Sequence, residues 1–482
     1  MTNVLNDDVL DHILSLCITS TLASFALASS RSHALTLPHL LRYVSLSKSP
    51  FQLESFFKYI LGNTRIQSPS VNEDGSRSLA YTFTSLKLVD TALAEVDAPF
   101  TLWAPLLPRA LELMPNIRSF VMGDCVEEIV VHSPGFAFAL LTRPFLTRLE
   151  LSCIGDISSN SLGKAMHLEK RVSMIERVKF AAQDEDVELM TDEGIGSVLF
   201  HSRENLTHIN VESYELDAFL GGRAPESGPL IFPNVVSLSL SWSEVSFRRV
   251  AKSFPALRTL TFRTRWYPDT MSTPFHTIPF PHLMSVTGFQ KHLVPFFQSI
   301  SSPSLRHVSM DASWRTSEDQ SISPFLFLRE VPSLESLSFT HWSGMRSTWW
   351  EELDVVLPHL KYLSLILRGL VKADLEILLS DVPAGLASVP LAYISILFSG
   401  DTRSDPSPGA HSRFSKKAIA YSYAKNIRTL KYIDVCKISH GKPRSSTWWS
   451  VGRKVGADEF VWVEEIEPIK GMKLRDQYNL EI

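Results

Sequence analysis

One six-residue phrase, apolar-x-x-apolar-x-apolar, recurs along this chain in fourteen registers, and nothing else in it constrains the fold as strongly. In the first half it reads Leu41/Val44/Leu46, Phe83/Leu86/Leu88, Ile117/Phe120/Met122, Leu146/Leu149/Leu151, Ile175/Val178/Phe180, Leu206/Ile209/Val211 and Val235/Leu238/Leu240. It continues as Leu257/Leu260/Phe262, Leu283/Val286 with Gly288 in third place, Leu305/Val308/Met310, Leu334/Leu337/Phe339, Leu360/Leu363/Leu365, Leu391/Ile394/Ile396 and Leu430/Ile433/Val435. In a chain that is 44% hydrophobic such a phrase arises by chance, so the weight rests on spacing and punctuation. From Ile117 onward the first positions lie 29, 29, 31, 29, 22, 26, 22, 29, 26, 31 and 39 residues apart, after two earlier intervals of 42 and 34. Eight registers carry a proline two residues before the first apolar position: Pro115, Pro144, Pro233, Pro255, Pro281, Pro303, Pro332 and Pro358. Proline cannot continue a helix, so each marks where a returning segment stops and a strand begins.

The second and third apolar positions are two apart, which puts both side chains on one face of a short strand, toward a core. The residues between and beside them point the opposite way. Ser119 and Val121, Thr259 and Thr261, His307 and Ser309, and Ser336 and Ser338 are therefore expected on a concave, substrate-binding surface. Between strands the spacing turns helical, most clearly at Leu53, Phe56, Phe57, Ile60 and Leu61. Ser49 and Gln52 offer that helix a capping box, Pro50 suits its first position and Gly62 its end. Thr348 and Glu351 offer a second box ahead of Leu353 and Val356. Most intervals fall in or just above the leucine-rich-repeat range of about 20–29 residues. The expected fold is α/β, a leucine-rich-repeat solenoid with a parallel sheet on its concave face and helices outside. A doubly wound α/β domain would also alternate strands and helices, but no Gly-rich phosphate loop follows any strand.

At 482 residues a single repeat array is simpler than several domains, because such an array grows without forming a new core each time. The array is expected over 41–435 and a C-terminal capping region over 436–482, with Trp448, Trp449, Phe460 and Trp462 covering the last apolar layer. Polar stretches at 62–80, 400–417 and Gly221–Pro229 read as loops. The net charge of -4 and dispersed charges give no footprint for nucleic acid or an anionic membrane, so a protein partner fits better. Four scattered cysteines, Cys17, Cys125, Cys153 and Cys436, suggest neither a disulfide framework nor zinc, and read as buried thiols. No metal or cofactor is expected. Without a signal peptide or an apolar run near 18 residues, the expected location is cytoplasmic or nuclear, and the glycosylation triplet at Asn205 reads as accidental.

The N-terminal forty-six residues are expected to add a small three-helix segment. Asn6 is a good N-cap, Asp7 and Asp8 suit the first turn, and Leu5 can staple onto Leu10. Val9, Leu10, Ile13, Leu14, Leu16 and Cys17 then place apolar groups on more than one side of the helix, more than a small domain can bury. A second helix holds Leu22, Phe25 and Ala26, and a short turn of helix led by Pro38 precedes Leu41. The run LNDDVLDHILSL at 5–16, LASFALASSRS at 22–32 and LPHLLRYVSL at 37–46 resembles the F-box. It departs from that pattern in having Asn6 after Leu5, where F-boxes usually have Pro, and His33 where many carry Trp or Phe. Joined to the repeats, the whole chain resembles the F-box and leucine-rich-repeat proteins of mushroom-forming fungi. The alternative reading of residues 1–46 is the polar-outside cap that every array requires.

The resemblance implies a non-catalytic subunit of a cullin-RING ubiquitin ligase, which docks on a Skp-type adaptor through the F-box and captures a protein substrate on the repeats. It implies that Leu5, Val9, Leu10, Ile13 and Leu14 form the adaptor-binding surface. The alternative is a leucine-rich-repeat binding scaffold or sensor with no ligase link. An enzyme has no support, since no H-E-x-x-H, G-x-S-x-G or metal-spaced His/Cys group occurs. The S-T-W-W runs at Ser347–Trp350 and Ser446–Trp449 read as packing at helix starts, and Arg263 and Arg265 as a solvated rim. Because Leu41/Val44/Leu46 both closes the F-box-like segment and opens the array, no linker is expected between them.

Overall fold

The computed structural model describes residues 7–46, 50–62, 82–88, 100–123, 125–168, 174–182, 194–212, 220, 230–241, 246–263, 277–312, 323–342, 346–350, 353–370, 372–400, 415–439, 442–454 and 460–479. Its contacts divide the chain into two units, Met1–Val245 with Lys252–Pro255, and Ser246–Ala251 with Ala256–Ile482. Most of the three expected loops, together with Ser49, Glu351 and Arg265, lies outside the described residues.

In the first unit seven strands pair in chain order, all parallel: β1 (Tyr43–Leu46), β2 (Ser85–Leu88), β3 (Ser119–Met122), β4 (Arg148–Ile154), β5 (Arg177–Ala182), β6 (His208–Glu212) and β7 (Ser237–Ser241). The phrase sets the register. Leu86 of β2 lies beside Val44 of β1 and Phe120 of β3, and Leu88 beside Leu46 and Met122, so each apolar pair stacks on the next. All three apolar positions are buried in every one of these registers. The chain returns through helices that include Pro50–Gly62, Leu106–Glu112, Phe136–Leu141, Asp156–Leu168 and Ile195–Ser202. Phe136 reaches the sheet, packing on Phe120 of β3 at 5.8 Å between centroids, while Phe57 stacks on Trp103 of the helix Phe100–Trp103 at 6.1 Å.

Two backbone devices repeat with the phrase. The prolines lie in turns directly before the strands. Where the closing bond is present, as from Ile117 N–H to the Met114 carbonyl and from Leu146 N–H to Arg143, proline occupies the second place of a β-turn, which suits its fixed φ. The residue after the first apolar position then offers its carbonyl to two N–H groups of the next repeat. Arg118 serves Thr147 and Arg148, Thr147 serves Glu176 and Arg177, and Glu176 serves Thr207 and His208. One device had no signal in the spacing. Glu127 reaches from the neighbouring repeat and accepts from the backbone N–H groups of Gly155, Ile157 and Ser158 at 2.9–3.0 Å, so a carboxylate satisfies the start of the helix Asp156–Leu168.

The second unit holds β8 (Thr259–Arg263), β9 (Ile278–Pro279), β10 (Ser285–Phe289), β11 (Ile300–Ser301), β12 (His307–Asp311), β13 (Ser336–Trp342), β14 (Tyr362–Leu370), β15 (Tyr393–Gly400) and β16 (Tyr432–Ser439). Strands β8, β10, β12, β13, β14, β15 and β16 form a parallel series in the same register, while β9 and β11 pair separately. Gly288, the one gap in the phrase, is explained by its neighbour: a Cβ there would come within 2.9 Å of the Phe262 carbonyl and 3.3 Å of the Phe262 ring. Ser415 caps the helix Lys416–Asn426 by accepting from Ala418 N–H at 3.1 Å, so the expected loop at 400–417 gives way to helix at its end.

The parallel series ends with a change of direction. Strand β17 (Lys442–Lys454) pairs antiparallel with β16, β18 (Phe460–Ile466) pairs antiparallel with β17, and the helix Pro468–Asn479 follows. Trp448 and Trp449 are buried on β17, so this S-T-W-W run belongs to a strand and not to a helix start. Trp349 and Trp350 of the other run are buried in a short 3-10 turn and the residue after it, with Trp350 5.3 Å from Phe325. Phe460 and Trp462 are not buried as expected: they stack on each other, Trp462 lies against Gly452 of β17, and they stay 59% and 41% exposed. No disulfide joins the four cysteines; Cys125 and Cys436 are buried as expected, whereas Cys17 and Cys153 are half-exposed.

Candidate functional site

Three surfaces carry the residues singled out from the sequence. The first is the helical N-terminus, built from α1 (Asp7–Ser15), α2 (Thr19–Ala26) and α3 (Ser30–Arg42). Helix α3 starts where Ser29 accepts from Ser32 N–H at 3.0 Å, and it runs through Pro38, which the sequence reading placed at the start of a separate short turn. A proline inside a helix costs about 3 kcal/mol. Here α1 and α2 both pack on α3, and the burial of Leu14, Leu22, Ala26, Thr36 and Leu41 offsets that loss. Asp11 and His39 join α1 to α3 at 2.7 Å. Arg42 ends the helix and Tyr43 begins β1, so no residue separates the helices from the first repeat.

The expected adaptor-facing set divides. Leu5 lies outside the described residues. Leu14 is 4% exposed and belongs to the core of these helices, which removes it from any surface. Val9 and Ile13 are each 46% exposed, and Leu10 is half-buried. With Leu16, 75% exposed, Val9 and Ile13 follow the spacing i, i+4, i+7 and form an apolar stripe in water.

The second surface is the strand face turned away from the core in the first unit. Ser119 and Val121 lie there, half-buried, in register with Arg148 and Glu150 of β4 and, further along, with Arg177 and Lys179 of β5. Arg148 and Glu150 pair at 2.6 Å, and Lys87 on β2 is exposed. At the next register His208 is partly exposed, and burial followed by the charge of Arg177 lowers its pKa. This face is open and carries charges of both signs.

The third surface is the corresponding face of the second unit, and it is closed. Thr259, Thr261 and Ser309 are half-buried, but His307, Ser336 and Ser338 are 2%, 0% and 6% exposed, which corrects their expected place on a binding surface. The reason is the neighbours in register. Ser336 sits between His307 and Tyr362, and the row continues through Tyr393 to Tyr432. His307 Nδ1 shares a 2.7 Å hydrogen bond with Ser336 Oγ, and burial lowers the His307 pKa to about 4. Adjacent Tyr rings of the row lie 5.4 and 6.2 Å apart.

A second row, Ser338, Ser364, Ser395 and Asp434, runs beside the first and ends against Trp448. Asp434 is fully buried. Its Oδ1 accepts from the Tyr393 hydroxyl at 2.9 Å and from Arg475 Nε at 3.2 Å; its Oδ2 accepts from the Ser395 hydroxyl at 3.2 Å and from Arg475 Nη2. Burial raises the Asp434 pKa above the usual carboxylate range, against the pull of Arg475 and of the hydrogen bonds from Tyr393 and Ser395. Burial works against the charge on Arg475, but Asp434 outweighs it and raises the Arg475 pKa. Burial and then Asp434 raise that of Tyr393. The arginine stands over the Trp448 ring, 5.4 Å from its centroid. Tyr478, one turn further along the same helix, lies 5.7 Å from Tyr393 and 6.1 Å from Tyr432.

Of these residues, Tyr362, Tyr393, Tyr432, Asp434, Arg475 and Tyr478 were not singled out from the sequence, although for three of them a signal was there. Tyr362, Tyr393 and Tyr432 occupy the same variable place of three consecutive registers, two residues after Leu360, Leu391 and Leu430. Arg475 had no such signal, because its partner lies 41 residues away on another element.

Seven phrase-bearing parallel strands in each unit, with stacked apolar positions and returning segments, define a leucine-rich-repeat-like α/β protein. No protein-family model matches the chain, and no curated protein matches it. Among solved structures it is similar to a chain in the crystal structure of the yeast Rad7 and Elc1 complex, at 13% sequence identity and a TM-score of 0.32, over 84% of this chain and 90% of that one. Among the described residues no group of three or more His, Cys, Asp or Glu could hold a metal ion. Nor is any helix among them long and apolar enough to cross a membrane.

Proposed function

We propose that this chain is the substrate-recognition subunit of a Skp/cullin/F-box-type ubiquitin ligase, with no catalysis of its own. Helices α1 to α3 dock a Skp-type adaptor, and the strand faces capture a protein substrate. One observation carries the reading: α1 and the turn after it keep Val9, Ile13 and Leu16 in water although the same three helices bury a core of their own. A cap that only closed the array would present a polar outer face. The F-box-like sequence order of residues 5–46 supports the same assignment, and the direct junction of α3 with β1 would make the adaptor-bound helices a rigid extension of the first repeats.

The test is co-expression with a Skp-type adaptor followed by size-exclusion chromatography. The wild-type chain is expected to co-elute with the adaptor. The double variant Val9→Asp with Ile13→Asp is expected to lose it, while its unfolding free energy changes by less than about 1 kcal/mol because both positions are exposed. A wild-type chain that retains no adaptor, and whose partners are indifferent to removal of residues 1–46, is a binding scaffold or sensor without a ligase link.

A further inference from the structure

We propose that the strand face of β15 to β17 is an arginine-recognition site for helical peptide ligands, and that the C-terminal helix Pro468–Asn479 occupies it in cis. The carboxylate of Asp434 is fixed before any guanidinium arrives. It is held on a strand and receives hydroxyl hydrogen bonds from Tyr393 and Ser395, one on each oxygen. Its remaining acceptor positions face Arg475, which donates through Nε to one oxygen and Nη2 to the other. That fork-to-fork arrangement selects a guanidinium over an ammonium, which would arrive as a single point charge. The Trp448 ring supplies a face for the same planar cation.

The helix in the site is docked like a ligand and not like a core element. Of its apolar residues, Ile469 and Met472 are 65% and 47% exposed and Leu474 is only half-buried, so no buried apolar side chain anchors it to the sheet. Three contacts that hold it lie one helical turn apart: Gly471 against Trp448, Arg475 on Asp434, and Tyr478 on Tyr393 and Tyr432. Gly471 lies so close to Trp448 that an added Cβ would overlap the indole. The ligand class follows from this spacing: a helical segment with a glycine, an arginine four residues later and an aromatic residue three beyond that.

This assignment deepens the substrate-capturing half of the function proposed above and is independent of the adaptor half. The experiment therefore contains no adaptor. A fluorescein-labelled peptide with the sequence of residues 467–479 is titrated by anisotropy into the full chain and into Gly471→Val, which ejects the helix and leaves Asp434, Tyr393 and Ser395 in place. Gly471→Val is expected to bind the peptide about tenfold or more tightly than wild type, because the cis helix no longer competes. Lysine in place of arginine in the peptide, or Asp434→Asn in the Gly471→Val chain, is expected to weaken binding about tenfold. Equal binding by wild type and Gly471→Val, or equal binding of the arginine and lysine peptides, overturns the proposal. Should Gly471→Val not fold, full-chain Tyr478→Ala takes its place, and a folded Tyr478→Ala chain that binds the peptide no better than wild type overturns it as well.

Discussion

The two units present the same strand register to opposite ends. In the first, the positions between the buried apolar residues hold Arg148, Glu150, Arg177 and Lys179, whose side chains reach into water. In the second, the equivalent positions hold His307, Ser336, Tyr362, Tyr393 and Asp434, every one buried. One backbone plan thus yields an open, charged face and a closed, aromatic one. The difference arises from side-chain size and from an element outside the repeat. Strands in a sheet stand about 4.8 Å apart, so rings in register close over the small residues beside them. Arg475 then seals the last carboxylate.

The largest expected effect tests the closed face at its charged end. Arg475→Ala leaves Asp434 buried without its cation and is expected to lower the unfolding free energy by about 3–5 kcal/mol, read by urea denaturation. Glu150→Ala, at the corresponding pair of the open face, sets the contrast given below. A loss under 1 kcal/mol at Arg475 would make the two faces equivalent.

Next in size is a pH effect. His307 is held near 4 against an ordinary value of 6.5, so between those values the unfolded chain binds a proton that the folded chain does not. The stabilisation is complete above pH 6.5 and is lost as pH falls toward 4, by about 3 kcal/mol. His292, lowered to about 4 by burial and then by Lys291, acts in the same window. Urea unfolding at pH 7 and pH 4.5 should show the drop, and His307→Asn should reduce it. His208, at the equivalent place of the open face, is expected to contribute less, since water reaches it.

Smaller effects belong to the first unit. Glu127→Ala removes a carboxylate from three backbone N–H groups of a neighbouring helix and should cost about 1–2 kcal/mol, seen as a lower Tm. Glu150→Ala, at a partly exposed ion pair, should cost less than about 1 kcal/mol.

How much of this was legible differs by element. All fourteen registers of the phrase lie on parallel strands, because burying a period-two apolar pair beside its predecessor is a local, repeated solution. Pro38 misled because its helix is rescued by packing from α1 and α2, which no local propensity records. Leu14 could not be told from Val9 and Ile13, since all three are apolar on one short helix and only the docking of α1 on α3 decides which side is inside. His307, Ser336 and Ser338 were read as surface from their place in the phrase, which is right about direction and silent about what stands beside them.

The sequence alone determined the strand register, the turns before the strands and the side of each strand that faces the core, since each depends on residues within one repeat. The tertiary structure alone decided which outward positions are accessible. That depends on neighbours about 30 residues away, as with His307 and Ser336, and on the return of the C-terminal helix, whose Arg475 meets Asp434 across 41 residues. Periodicity records where a side chain points. Whether water reaches it is set by what the rest of the chain brings alongside.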